Sequence, residues 1–316
     1  MSKLVCMGEC LIDFLPSGNG VLSFDGKAGG APANVCAAVG KLGGDAYYLG
    51  MMSRDSFGTF LLEKLRACSV KTDYVHFTDK AGTGLAFVSL DENGDRSFTF
   101  FRDPCADMLL EPDMVNGDMF EKGDVLHFCS VDLVECPTKY AHRRAIECAR
   151  EAGAYVSFDV NLRLNIWRDD AGCVATVREF LAYADIVKVT DDELLLITGE
   201  NDIDRGVQMI FNMAENASLV FVTKGGDGAS VYSREGSIHA PARHVNVVDT
   251  TGAGDCFSGA VIYNILMRED TDKTTFTLDE ICPVLDMATR ACSIIVGRKG
   301  AMESMPTLSE IESVSD

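Results

Sequence analysis

The sequence predicts an α/β protein, with a mostly parallel central sheet covered by helices on both faces and a small β-sheet beside it. Three observations carry this expectation. From Val125 onward, short apolar runs alternate with longer amphipathic segments, the pattern of a parallel sheet crossed by helices. Leu85 to Leu90 and Ser97 to Phe101 flank Asp91-Glu92-Asn93-Gly94-Asp95, and Asn-Gly between two β-rich runs signals a hairpin outside that alternation. An almost unbroken apolar run through Met267 follows Gly252-Ala253-Gly254-Asp255 and reads as a buried helix.

In chain order, Leu4 to Met7 is a short apolar strand. Gly29-Gly30 precedes an Ala-rich helix, Ala33 to Leu42, closed by Gly43-Gly44. Phe57 to Ala67 has the spacing of an amphipathic helix. After the hairpin, strands are expected at Val125 to Cys129, Tyr155 to Phe158, Ile186 to Val189, Leu219 to Thr223 and Ala229 to Tyr232. Helices Tyr140 to Arg150 and Val174 to Tyr183 separate the first three. The hairpin is free to form a separate sheet, a candidate lid.

Composition bounds the function. The chain has 316 residues, 47% of them hydrophobic, and a chain of that size buries about three-quarters of its unfolded surface. No Pro/Ser-rich linker, low-complexity tract or internal repeat divides it. Against 28 basic residues stand 48 acidic ones, a net charge of −20, which argues against nucleic acid and anionic membrane as partners. The twelve cysteines show no CxxC pair and no Cys/His spacing suited to zinc, so they read as small buried hydrophobes. Glu9 and Asp13 interrupt the apolar N-terminal stretch, unlike a signal peptide, and no run of about 18 uncharged apolar residues suggests a membrane span. A cytoplasmic protein is expected.

The chemistry concentrates at Gly252-Ala253-Gly254-Asp255. A helix N-terminus offers unpaired N–H donors and partial positive charge, and glycine lets an anion approach the backbone. An acid in the first turn can take a proton from a group attacking a bound phosphate. On these residues alone, a phosphate site and a tight strand-to-helix turn with Asp as a dipole partner explain the sequence equally. Ligands of open α/β sheets bind at the C-terminal ends of strands. Polar residues follow the strands at Asp159 and Asn161, Thr190 to Glu193, Thr223-Lys224-Gly225-Gly226 and Asp249. Competing motifs are weak: no GxxxxGK[ST], no complete GxGxxG, no GxSxG and no metal-ligand spacing among the five histidines.

Asp249-Thr250-Thr251-Gly252-Ala253-Gly254-Asp255 resembles the signature of the ribokinase-like, PfkB-type carbohydrate kinases, and Gly29-Gly30-Ala31-Pro32-Ala33-Asn34-Val35 matches a second family feature. The resemblance runs from Gly8-Glu9-Cys10-Leu11-Ile12-Asp13-Phe14 to Arg298-Lys299-Gly300-Ala301. Phe101 to Leu110 and Asp159 to Trp167 are most similar to fructokinases. The resemblance implies a three-layer αβα sandwich in a single domain over 1–316, with lid strands approximately within 12–30 and 74–104.

It also implies roles. Asp255 matches the catalytic base, with Gly252, Ala253 and Gly254 opening the anion hole formed by the amides of Thr251 to Asp255. Asp13, Gly29, Gly30 and Asn34 match sugar-binding positions, and Arg102 and Arg163 resemble positions near the sugar and phosphates. Lys188, Thr190, Thr223, Lys224, Gly225, Gly228 and Thr289 match the ATP site, although Thr190 and Thr289 stand where the family often has asparagine. Glu193 matches the acid that supports magnesium through water, and Asp249 and Thr251 resemble part of a potassium site. The implied activity is ATP-dependent phosphorylation of a sugar hydroxyl, with fructose as the leading substrate. The implied partners are sugar and ATP, and an exposed edge of the lid strands invites pairing with a second copy of the chain. The closest alternative is a kinase for another sugar, such as 2-keto-3-deoxygluconate or ribose. A non-catalytic sugar or nucleotide sensor is disfavoured by the intact Asp255 turn, and a dinucleotide-dependent oxidoreductase by the missing GxGxxG.

Overall fold

The computed structural model of the chain describes residues 2–17, 23–90, 96–269, 272 and 274–314. Its elements in chain order are β1 (Leu4–Met7), β2 (Leu11–Pro16), β3 (Phe24–Gly29), α1 (Ala31–Lys41), β4 (Ala46–Ser53), α2 (Ser56–Ala67), β5 (Val75–Thr78), β6 (Leu85–Leu90), β7 (Arg96–Phe101), β8 (Val125–Cys129), α3 (Pro137–Ala152), β9 (Tyr155–Asp159), α4 (Asp170–Leu181), β10 (Ile186–Thr190), α5 (Asp191–Thr198), α6 (Ile203–Met213), β11 (Leu219–Thr223), β12 (Ala229–Tyr232), β13 (Ser237–Ala240), α7 (Ala253–Met267), α8 (Leu278–Ile295) and α9 (Leu308–Glu312). Helices α1, α3 and α4 start two to four residues before their expected positions. Proline in the first turn of α1 and α3 suits a helix start, and the Asp169 side chain caps α4 at the Gly172 N–H.

Among the described residues, nine strands form one sheet in the order β13-β12-β11-β10-β9-β8-β1-β4-β5. Strands β11 to β5 in that order run parallel, while β12 and β13 are antiparallel at one edge. Successive side chains on a strand point to opposite faces. Accordingly Leu4, Cys6 and Phe221 pack with residues of α1, α7 and α8, while Val5, Met7, Val220 and Val222 pack with residues of α3, α4 and α6. The two apolar layers make the predicted three-layer α/β arrangement. No described helix is long and apolar enough to cross a membrane.

A second sheet has the order β3-β2-β6-β7. Strands β6 and β7 pair antiparallel from Leu85↔Phe101 to Leu90↔Arg96, as the hairpin signal predicts; the turn at 91–95 lies outside the described residues. Strand β5, inside the stretch expected to supply lid strands, instead extends the large sheet by pairing with β4. Phe14 stacks on Phe87 at 4.7 Å, and Phe24 and Phe101 meet Phe87 edge-on at 5.2 and 5.5 Å. Asp13, the neighbour of Phe14, therefore projects from the other face of β2.

Candidate active site

Parallel strands end together, and the ends of β9 and β10 face the start of α7. Two cavities meet there. The first, about 320 Å³, is lined by Glu9, Asp13, Gly30, Asn34, Asn161, Arg163, Glu193 and Asp255, among others. The second, about 460 Å³ and mainly apolar, is lined by Thr223, Gly225, Gly228, Val245, Val247, Phe257 and Thr289, among others. Lys188, Thr190, Thr250 and Gly254 line both.

Helix α7 begins at Ala253, capped by Gly252 in a left-handed conformation at φ 78. A Cβ at Gly252 would lie 2.7 Å from the Ala301 Cβ, so the tight turn requires glycine. Two N–H groups of the turn already have partners within it. The Thr251 N–H donates to Asp249 Oδ1 at 2.7 Å and the Ala253 N–H to the Thr250 carbonyl at 3.2 Å. A helix has no internal acceptor for its first N–H groups, and no bond of this kind among the described residues engages the N–H groups of Gly252, Gly254 and Asp255, which line the first cavity.

Asp255 is held in place by Asn34, whose Nδ2 donates to Asp255 Oδ2 at 2.8 Å. The Oδ1 of Asn34 is buried without a hydrogen-bond partner, and Asn34 lines the first cavity. Burial raises the Asp255 carboxyl above its ordinary range, opposed by the Asn34 hydrogen bond and the charges of Lys188 and Arg163. Asp13 lies against Gly29, where a Cβ would come within 2.0 Å of Asp13 Oδ2; glycine makes room for the acid.

Glu193 and Thr190 form a capping box at the start of α5: Thr190 Oγ1 accepts from the Glu193 N–H at 3.1 Å, and Glu193 Oε2 from the Thr190 N–H at 2.8 Å. Glu193 Oε1 also accepts from the Leu162 N–H at 2.7 Å. Asp249 is buried and ties two loops together, since its Oδ2 accepts from the Gly300 N–H at 3.0 Å.

This arrangement joins a polar cavity and an apolar cavity at one carboxylate and one helix N-terminus. Residues 1–308 match the pfkB family carbohydrate kinases. The chain belongs to this family. Fructokinase-2 of Solanum habrochaites is 39% identical to this kinase over 314 residues, covering 97% of this chain and 94% of the relative. A fructokinase with bound ATP from Xylella fastidiosa superposes with a TM-score of 0.91 at 33% identity, over 98% of this chain and 97% of the other. A double mutant of the Vibrio cholerae O395 fructokinase, in a fructose-, ADP- and potassium-bound form, also gives 0.91 at 33% identity, over 99% and 98%.

Most of the residues singled out in the sequence of this kinase converge. Asp13, Gly30, Asn34, Arg163, Lys188, Thr190, Glu193, Thr251, Gly252, Gly254 and Asp255 line the first cavity; Ala253, Thr223, Gly225, Gly228 and Thr289 line the second. Gly29, Lys224 and Asp249 line neither.

Arg102 also stands apart. It is buried in ion pairs with Asp132 and, at 3.1 Å, Asp107, and it borders a third cavity beside Trp167. Breaking a buried pair typically costs about 3–5 kcal/mol, because the abandoned charge stays buried. Arg102→Gln is therefore expected to lower the melting temperature by several degrees while changing the sugar KM less than about threefold. Thermal melts and steady-state kinetics on the same preparation check both.

Glu9 and Asn161 are functional candidates that sequence reasoning did not assign. Glu9 Oε1 accepts from the Ala31 N–H at 2.8 Å, at the start of α1, and the acid lines the first cavity. Asn161 has φ 38, a left-handed conformation that asparagine tolerates, and it follows β9 at a strand end. That strand-end position was the available signal; Glu9 had none beyond its place in a quoted motif.

Burial pushes Glu9 and Asp13 up to about 7, although Arg102 pulls Glu9 down and Arg163 pulls Asp13 down. In the unfolded chain these acids release their protons near pH 4. Their contribution to stability is thus complete below about pH 4 and is lost as pH rises through about 7. His127 and His142, pushed down by burial to about 3 and about 4, act in the opposite sense but only below about pH 6.5. The ligand-free kinase is expected to melt at a lower temperature at pH 8 than at pH 6.5, with Asp13→Asn reducing the difference. A melting temperature that holds or rises between those values would contradict the assignment.

Proposed function

We propose that this carbohydrate kinase transfers the γ-phosphoryl group of ATP to a hydroxyl of fructose. The observation that carries the reading is Asp255: its carboxylate is fixed by Asn34 at 2.8 Å and sits at the first turn of α7, where the two cavities join. The relatives' bound fructose and ATP support these two substrates; we place fructose in the polar cavity and ATP in the apolar one. Carboxylate, amide and guanidinium groups at Asp13, Asn34 and Arg163 match the paired donors and acceptors of sugar hydroxyls.

In this reading Asp255 takes the proton of the attacking hydroxyl as its oxygen bonds to the γ-phosphorus. The bond from that phosphorus to the β,γ-bridging oxygen breaks, and ADP leaves with the electron pair. The Gly254 and Asp255 amides and the Lys188 ammonium face the charge on the transferring group. The raised Asp255 carboxyl is the stronger base for it. The small sheet, which places Asp13 and Phe100 at the first cavity, excludes competing water.

Magnesium fits beside Glu193. Both Glu193 oxygens already accept backbone N–H bonds, which leaves lone pairs suited to water rather than to direct coordination. When bound, the ion neutralises phosphate charge. Potassium fits the oxygen-rich loop around Asp249, a buried carboxylate between Thr251 and Gly300. Phe101, 61% exposed beside the aromatic face of the small sheet, supports pairing of two copies there, which sedimentation of the pure protein tests.

The function is tested by incubating the enzyme with ATP and fructose and identifying products by ³¹P NMR. One fructose phosphate per ADP is expected. ADP formed without a phosphorylated sugar, or no ADP, would overturn the proposal.

A further inference from the structure

We infer that Asp159 is a positioning residue of the transfer site, holding the Lys188 ammonium at the start of α7 where the phosphoryl group crosses between cavities. The inference rests on the proposed reading of Lys188 as a phosphate ligand and names the group that makes it one. Of the four residues lining both cavities, Lys188 alone is positively charged. A lysine stem is long and flexible, so something must fix its head.

Three acids face that ammonium: Asp159 from β9, Glu193 from α5 and Asp255 from α7. His127 from β8 and Cys292 from α8 also feel its charge. Pairing with Asp255 would neutralise the base. The structure instead gives Lys188 Nζ to Asp159 Oδ1 at 3.1 Å and leaves Asp255 to Asn34. Asp159 Oδ2 accepts from Ser258 Oγ at 3.4 Å, one helical turn beyond Asp255. One buried carboxylate therefore ties Lys188 on β10 to the helix that carries the base. Asp159 is 1% exposed and lines neither cavity, so it acts through Lys188 and not on substrate.

Gly254 completes the arrangement. A Cβ there would lie 3.1 Å from Lys188 Nζ, so the absent side chain gives the ammonium its place beside the first-turn amides. Together, amides and ammonium surround the phosphoryl position with fixed positive charge.

A double-mutant cycle tests this. Lys188→Met is expected to lower kcat about 10²–10³-fold, as loss of a charge-stabilising donor does. Asp159→Asn, nearly isosteric, is expected to lower kcat by about ten- to a hundredfold with the fructose KM within about threefold of wild type. In the Lys188→Met background the same change should cost less than about twofold. Ser258→Ala, a milder probe if Asp159→Asn does not accumulate, should lower kcat a few-fold (roughly three- to fivefold) and likewise lose its effect without Lys188. Losses that multiply in the double variant, or near-normal turnover by Asp159→Asn when Lys188→Met is crippled, would overturn the inference. Near-normal turnover by Lys188→Met would instead overturn the reading of Lys188 as a phosphate ligand.

Discussion

Replacing Asp255 with asparagine should lower kcat about 10³-fold and leave fructose and ATP binding within about threefold of wild type. The two side chains have nearly the same shape, and an asparagine oxygen can still accept from Asn34 Nδ2, so the site should keep its geometry. What disappears is the proton acceptor. The competing account, an acid serving only the helix dipole, makes a different prediction: about 0.3–1 kcal/mol of stability lost and turnover retained. Calorimetric binding and kcat measured on one preparation separate the two. Because burial raises the Asp255 carboxyl, wild-type kcat should fall on acidification at a pH above the ordinary aspartate value, as the base becomes protonated. A variant keeping more than about a tenth of wild-type kcat would remove Asp255 from the base role.

Gly30→Ala should be among the most damaging single methyls in the site. Gly30 sits at φ 105 between β3 and α1, and a Cβ there would lie 2.4 Å from the Glu9 carbonyl oxygen and 3.0 Å from the Cys10 Cα. Those are backbone atoms of the β1–β2 connection, which cannot rotate away as a side chain can. Accommodating the methyl must shift Glu9 and, beyond it, the strand that carries Asp13. Conformational strain and displacement together should cost about 3–5 kcal/mol. The expected outcome is a melting temperature lower by roughly 5–10 °C and a fructose KM raised at least about tenfold, near 1.4 kcal/mol of binding. Gly43→Ala is the control: its φ is 91, but nothing lies within 4 Å of the added Cβ. It should show strain alone, about 1 kcal/mol, and an unchanged KM. Equal effects at the two positions would contradict the packing argument.

The parts of the fold legible in the sequence were those with local causes. β1, β8 and β11 are short apolar runs bounded by polar residues, and α7 is an apolar run opened by a glycine turn, so each could be read without its neighbours. Helix α8 carried a signal that went unused: the Thr277–Glu280 capping box before an amphipathic segment, with Pro283 obscuring the pattern. Strand β5 shares the hairpin's neighbourhood in sequence, but its hydrogen bonds go to β4, a choice no local pattern records. The site divides similarly. Asp255, Asn34 and Asp13 belong to motifs whose spacing survives in one dimension, and the structure brings them to one cavity. Arg102 does not, because Asp107 and Asp132 claim its guanidinium from separate segments. The pairing of Asp159 with Lys188 depends on two strands being neighbours, and it becomes visible only when the parallel register of β9 and β10 is known.

The most direct test of the central claim is kcat/KM, from ADP release with saturating ATP, across fructose, ribose and 2-keto-3-deoxygluconate. Fructose is expected to exceed each of the others by at least about a hundredfold, near 2.7 kcal/mol of differential transition-state binding. A higher kcat/KM for ribose or 2-keto-3-deoxygluconate than for fructose would contradict the claim.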